Sequence, residues 1–146
     1  MTEVKFHFNV ADSIDYACRL LRKATRQGAT VVVTGSQPVL SNLDRALWAF
    51  DPVEFLPHLL LQPGQDIQHR LRGTRLWLSV DATASGHHDV LVNLGQGSAQ
   101  APAGFESFAR VIEIVSTDAE ERIAARLRWK HYASRGYAIE RHEVAA

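Results

Sequence analysis

Between Ala29 and Gly35 the chain reads ATVVVTG, and this segment constrains the fold more than any other. Three consecutive valines send branched side chains to both faces of a strand, so neither face can be left in water. A run of this kind suits the middle of a parallel sheet with helices over both faces. The flanking sequence supplies helices. Upstream, Ile14, Ala17, Cys18, Leu21 and Ala24 recur at helical spacing, with Asp12 or Ser13 placed to cap the start and Gly28 to stop the end. Downstream, Leu40, Leu43, Ala46 and Leu47 continue the pattern to Phe50, before Asp51-Pro52, where the proline disfavours helical geometry in its predecessor. Val4 to Val10 alternates as a strand covered on one face, with Phe6 and Phe8 on one side and Lys5 and His7 on the other.

This strand, helix, strand, helix order implies βαβ units, and so an α/β fold: a three-layer α/β/α domain on a mostly parallel, Rossmann-like sheet. Further strands are expected around Leu59 to Leu61, in LWLSV at Leu76 to Val80, in DVLVNLG at Asp89 to Gly95 and in RVIEIV at Arg110 to Val115. One helical turn is expected between Gln65 and Leu71, and a surface loop from Gly95 to Gly104. Thr117-Asp118-Ala119-Glu120 reads as a capping box, opening a helix that runs to Ser134 with Gly136 as its stop. Tyr137 to Val144 is an extended tail. At 146 residues the whole chain, 1–146, fits a single domain able to bury about 70% of its unfolded surface without a disulfide or metal.

Composition narrows the function classes. The single cysteine, Cys18, cannot form an intramolecular disulfide and reads as a small buried hydrophobe, which favours a reducing, intracellular compartment. No stretch approaches the roughly eighteen apolar residues of a membrane span, and MTEVKFHFNV lacks a signal-peptide pattern, so a cytoplasmic location with no membrane contact is expected. No Walker-type phosphate loop or nucleophile elbow occurs, and Gly95-Gln96-Gly97 lacks the third glycine of a dinucleotide fingerprint. Thr34-Gly35-Ser36 before a helix can offer backbone N–H groups to a phosphate, but an ordinary strand-to-helix turn is the simpler reading. In His87-His88-Asp89 the adjacent rings point to opposite strand faces, without an i, i+4 partner to complete a metal site. No catalytic residue, metal or cofactor is therefore assigned.

Sixteen basic residues balance sixteen acidic ones, against bulk attraction to nucleic acid. Thirteen of the sixteen are arginine, suited to bidentate contacts with carboxylate or phosphate. Five cations without an acid fall between Arg122 and Ile139: Arg122, Arg126, Arg128, Lys130 and Arg135. At 100° per residue, Arg122, Arg126, Trp129 and Lys130 share an arc of about 100°, while Ile123, Ala124 and Leu127 lie on a neighbouring arc expected to face the sheet. A solvated basic face is one reading. A tryptophan among unpaired cations instead fits an anionic, partly apolar ligand, either single-stranded nucleic acid stacked on the ring or an acidic peptide held by arginine forks. A second patch spans Leu43 to His58, where Trp48 projects off the core stripe and Phe55, Leu56 and Pro57 cluster in a proline-punctuated loop. That patch suits either core packing or a docked partner.

Taken together, LDRALW and EFLPH within Leu43 to His58, DVLVNL at Asp89 to Leu94, FARVIEIV at Phe108 to Val115 and RLRWKHYASRGY at Arg126 to Tyr137 resemble, in order, the chi subunit family of bacterial DNA polymerase III. The resemblance covers nearly the whole chain. It implies a non-catalytic accessory protein of the clamp-loader assembly, with a fold like that of nucleotide-binding domains but without their activity. Members link the polymerase to single-stranded DNA-binding protein, whose acidic C-terminal tail ends in phenylalanine, and pair with a small psi subunit. DNA is then reached mainly indirectly. By position, the resemblance implies a tail site of Val115, Arg122, Arg126, Trp129 and Lys130, and a psi-facing surface of Trp48, Phe55, Leu56 and Pro57. Arg122 stands where relatives can carry Lys, and Trp129 where Tyr can occur; both keep the cation and the aromatic platform. The alternatives are a small nucleotide-binding α/β enzyme using the loops near Gly35 and Gly95, and a direct single-strand binder using Trp129.

Overall fold

Val31, Val32 and Val33 are each at most 1% exposed, enclosed on both sides as their sequence demands. They form part of a computed structural model that describes residues 2–50, 56–62, 64–68, 71–95 and 98–144. In chain order its elements are β1 (Glu3–Val10), α1 (Ser13–Arg26), β2 (Val31–Thr34), α2 (Gln37–Phe50), β3 (Leu59–Leu60), β4 (Leu76–Leu78), β5 (Val90–Asn93), β6 (Arg110–Ser116), α3 (Ala119–Ser134) and β7 (Ile139–Glu143). A short 3-10 turn at Phe105–Ser107 precedes β6.

The strands form one seven-stranded sheet, ordered β3-β4-β2-β5-β6-β1-β7, in which every neighbouring pair is parallel. The expected mostly parallel sheet is thus parallel throughout the described residues. Ala17, Cys18 and Leu21 of α1 and Leu40, Leu43 and Leu47 of α2 cover one face, against Val31, Val33, Leu78 and Val92. Ala125 and Tyr132 of α3 pack on the other face, against Phe6, Val32, Trp77, Leu91 and Val111. This is the three-layer arrangement. Cys18 lies within it as a helical core residue, its thiol pushed up to about 11 by burial and then by Asp15 and Asp12.

Several local expectations hold. The Asp12 side chain caps α1 by accepting from the Asp15 N–H at 3.1 Å, and Gly28 leaves the helix with φ +90°. The tail from Tyr137 becomes β7, paired with β1, while the helical turn expected between Gln65 and Leu71 includes residues 69–70, which lie outside the described residues. Other details differ. Strand β1 is covered on the α1 side as well as the other, for His7 is packed against Tyr16 and His142 at 7% exposure, whereas Phe8 on the α3 side is only half-buried. Burial first, then the neighbouring His142 and Lys5, pushes the His7 imidazole down to about 4. The cap of α3 is Asp118, not Thr117: its carboxylate accepts from the Glu121 N–H at 3.1 Å. The helix is therefore capped one residue later than expected and without the reciprocal bond of a capping box: the Asp118 N–H donates to Ser116 Oγ at 3.1 Å, and the Ser116 hydroxyl donates to the Glu121 carboxylate.

The largest correction concerns the inward face of α3. Its buried residues are Ala124, Ala125, Arg128 and Tyr132, whereas Ile123 and Leu127 are 58% and 47% exposed. The helix is rotated relative to the expected arc because Arg128 and Tyr132 must reach a buried carboxylate in the sheet.

Candidate functional site

That carboxylate is Glu113, in the middle of β6 and fully buried. Arg128 Nε donates to its Oε1 at 3.1 Å, Tyr132 Oη to its Oε2 at 2.8 Å, and Asn93 Nδ2 to both oxygens at 3.0 and 3.1 Å. Burial raises the Glu113 carboxyl above its ordinary value, against the opposing pull of the Arg128 charge and of the hydrogen bonds from Asn93, Tyr132 and Arg128. Burial and the same carboxylate push the Tyr132 phenol up. Arg128 also donates to the Ser98 carbonyl, and its guanidinium lies so near Gly95 that an added Cβ would come within 2.6 Å of Nη2. Gly95, at φ +68°, is thus required both by conformation and by close approach. One of the five cations on the last helix is consequently an interior group that pins α3 to the sheet.

With α3 anchored over β6, the β1 and β7 end of the same sheet face is left partly uncovered. A groove of about 510 Å³ opens there. Val115, Arg122, Arg126, Trp129 and Lys130 all line it, so the five residues singled out in the sequence share one site. Trp129 is half-buried rather than free in solvent, its ring 4.9 Å from that of Phe6 at an interplanar angle of 51°. Among the described residues, Arg122, Arg126 and Lys130 have no ion-pair partner. The site therefore joins an apolar floor to exposed, uncompensated cations, which suits a ligand carrying an apolar group beside carboxylates.

Sequence reasoning missed part of this lining. Phe6 and Phe8 make the floor together with Val115 and Ala125, and Arg141 and Glu143 of β7 form the opposite wall. The Phe6 and Phe8 alternation was visible, but not that its outer half faces a groove. Asn9 adopts φ +64°, a left-handed conformation that asparagine tolerates, and the β1–β6 register shifts between His7 and Val10. The bulge leaves Phe8 in the groove and turns Val10 into the core on the α1 side.

The second predicted patch is only partly assembled. Trp48 is 56% exposed on α2, its ring 4.9 Å from that of His58. Pro57 is exposed, whereas Leu56 is half-buried against the core of the α1 and α2 face. Phe55 lies outside the described residues. His58 holds the start of this segment on α2, with Nε2 3.0 Å from Asp44 Oδ1 and Nδ1 2.8 Å from the Leu56 carbonyl.

The remaining candidates are committed to structure. At the strand ends, Thr34 donates to the Val80 carbonyl at 2.9 Å and Asn93 belongs to the Glu113 network, so these polar groups have internal partners. His87 Nε2 lies 2.8 Å from the Arg72 carbonyl and His88 Nδ1 3.1 Å from Ser107 Oγ. The Ser107 hydroxyl itself donates to the Gly104 carbonyl at 2.7 Å, an arrangement that points its proton away from the imidazole. Among the described residues, no three His, Cys, Asp or Glu side chains converge as metal ligands, and no helix is long and apolar enough to cross a membrane.

Comparison with known proteins gives the family. The family model described as DNA polymerase III chi subunit, HolC, matches residues 1–140. DNA polymerase III subunit chi of Pseudomonas aeruginosa is 30% identical over 149 aligned positions, covering 99% of this chain and 98% of the relative. The Haemophilus influenzae protein of the same name is 29% identical over 131 positions, covering 89% and 86%. With a match running from the first strand through the last helix and into β7, the chain belongs to the DNA polymerase III chi subunit family.

Proposed function

We propose that the chain is a non-catalytic adaptor in the clamp-loader assembly of DNA polymerase III, and that its groove binds the acidic, phenylalanine-ending tail of single-stranded DNA-binding protein. The observation that carries the reading is the groove itself, where Val115, Arg122, Arg126, Trp129 and Lys130 meet over an aromatic floor. A phenylalanine buried on that floor contributes about 2–3 kcal/mol. A charge-assisted carboxylate contact adds about 1.5–3 kcal/mol, and each exposed ion pair about 0–1 kcal/mol. After the cost of ordering the tail, binding of roughly micromolar strength, about −8 kcal/mol, is expected. Several tails presented together would then give durable attachment.

Tail-peptide titration tests this directly. Arg126→Ala is expected to weaken binding more than about ten-fold, since a charge-assisted contact of that size is lost. A peptide lacking its terminal phenylalanine should bind poorly, and added salt should weaken binding by screening the rim charges. An Arg126→Ala titration that matches the parent would overturn the assignment.

A second group, Trp48, Leu56 and Pro57 together with Phe55 outside the described residues, is read as the docking site of a psi-type subunit. It is supported by the exposure of Trp48, an aromatic anchor of the kind that dominates interface energetics. Co-purification with Trp48→Ala should release the psi-type chain while single-stranded DNA-binding protein stays attached.

A further inference from the structure

The edge strand β7 carries chemistry that the last helix alone does not explain. In the parallel β1–β7 ladder, Phe6 lies beside Arg141 and Phe8 beside Glu143. Side chains at paired positions of parallel strands leave the same face, so Arg141 and Glu143 stand on the α3 side with both phenylalanines. Both line the groove. The Arg141 guanidinium carbon sits 4.9 Å from the centroid of the Phe8 ring. A cation at this distance is attracted to the ring face, an interaction that occupies none of the hydrogen-bonding capacity a carboxylate would use. Among the described residues, Arg141 has no ion-pair partner, and Glu143 has none either.

We propose that β7 is the second jaw of the groove, with Arg141 attracting an acidic ligand and Glu143, on the same wall, opposing it. The inference rests on the reading of the groove as an acidic-peptide site and adds the class of peptide it selects. Arg122, Arg126 and Lys130 rise from α3 on one side of the phenylalanine floor, and Arg141 rises from the strand on the other. A peptide with carboxylates on both sides of its apolar anchor engages both jaws. One with carboxylates on a single side leaves one jaw unused. Glu143 limits the field of Arg141, so the wall discriminates between ligands by charge as well as strengthening the grip.

The two residues make opposite predictions, which a general disturbance of the strand would not reproduce. An acidic peptide ending in phenylalanine is titrated into the full chain and its Arg141→Ala, Arg141→Lys and Glu143→Gln variants, at low and at raised salt. Arg141→Ala should weaken binding about three- to ten-fold, and Arg141→Lys should recover part of the loss, because it keeps the charge without the planar fork. Glu143→Gln should tighten binding about two-fold, with the gain shrinking as salt is added. Thermal melts should stay close to the parent for the Arg141→Lys and Glu143→Gln variants. If the parent binds and neither Arg141→Ala nor Glu143→Gln changes the affinity, the jaw is wrong while the tail site stands. If Glu143→Gln weakens binding, the jaw is also wrong. A parent that binds no acidic peptide overturns the tail reading, and the jaw with it.

Discussion

Arg126 and Arg128 sit two positions apart on one helix and have opposite fates. Arg126 faces the groove in solvent, whereas Arg128 is 2% exposed and bonded to Glu113. Removing one partner of a buried pair leaves the other charge without compensation, at a cost of about 3–5 kcal/mol. Arg128→Ala is therefore expected to lower the unfolding free energy by that amount in urea titrations, while Arg126→Ala changes it by less than about 0.5 kcal/mol. Similar stability losses for both variants would refute the division. In sequence the two arginines look alike, because the partner of Arg128 is fifteen residues away on a strand. A signal was nevertheless present. Glu113 interrupts the apolar run RVIEIV, and a carboxylate in a strand destined for burial requires a cation or several donors.

At the scale of the element, α3 shows why boundaries were more legible than orientation. Its end at Ser134 and its Gly136 stop follow from backbone chemistry local to the sequence. Its inward face does not, because ranking by hydrophobicity favours Ile123 and Leu127 over Ala124 and Ala125. Small residues let the helix approach the sheet closely, and the Glu113 network sets its rotation. The cap offers a clean measurement. Asp118→Ala should destabilise the protein by about 1 kcal/mol, read as a shift of the urea midpoint, since an orphan N–H at the helix start loses its acceptor. Thr117→Ala should have little effect. The reverse order would place the cap back at Thr117. Strand β7 was visible as an extended tail, yet its pairing was not, because a parallel partner is chosen by the crossover through α3 and not by neighbouring residues.

Across the whole molecule, the three-layer parallel sheet was readable from βαβ order and the valine run, but strand order was not, since skipping over neighbours leaves no mark in the pattern. The groove was half-legible for the same reason: α3 supplied its cations in one stretch, while β1 and β7 bring Phe8 and Arg141 together from opposite ends of the chain. One pH dependence belongs to this level, because β1, α1 and β7 jointly enclose His7. Its neighbours are Tyr16 from α1, His142 from β7 and Lys5 on its own strand. With the folded value lowered to about 4 from the ordinary imidazole value of 6.5, the unfolded chain binds a proton that the folded one refuses between those limits. Stability from this group is fully present above pH 6.5 and is lost as pH falls toward 4, on the order of 3 kcal/mol at most. Urea midpoints measured across that window should fall, and His7→Phe should flatten the decline. A slope unchanged in that variant would place its origin elsewhere.

The placement of the tryptophans has a practical consequence. Trp77 is fully buried, Trp129 is half-buried in the groove, and Trp48 is exposed over more than half its surface on α2, beside His58. The molecule thus contains three intrinsic spectroscopic reporters in three environments, one for the integrity of the core, one for groove occupancy and one for the opposite layer. Replacing any two by phenylalanine would leave a single-channel fluorophore, letting engagement of the two proposed surfaces be timed separately on the unlabelled chain.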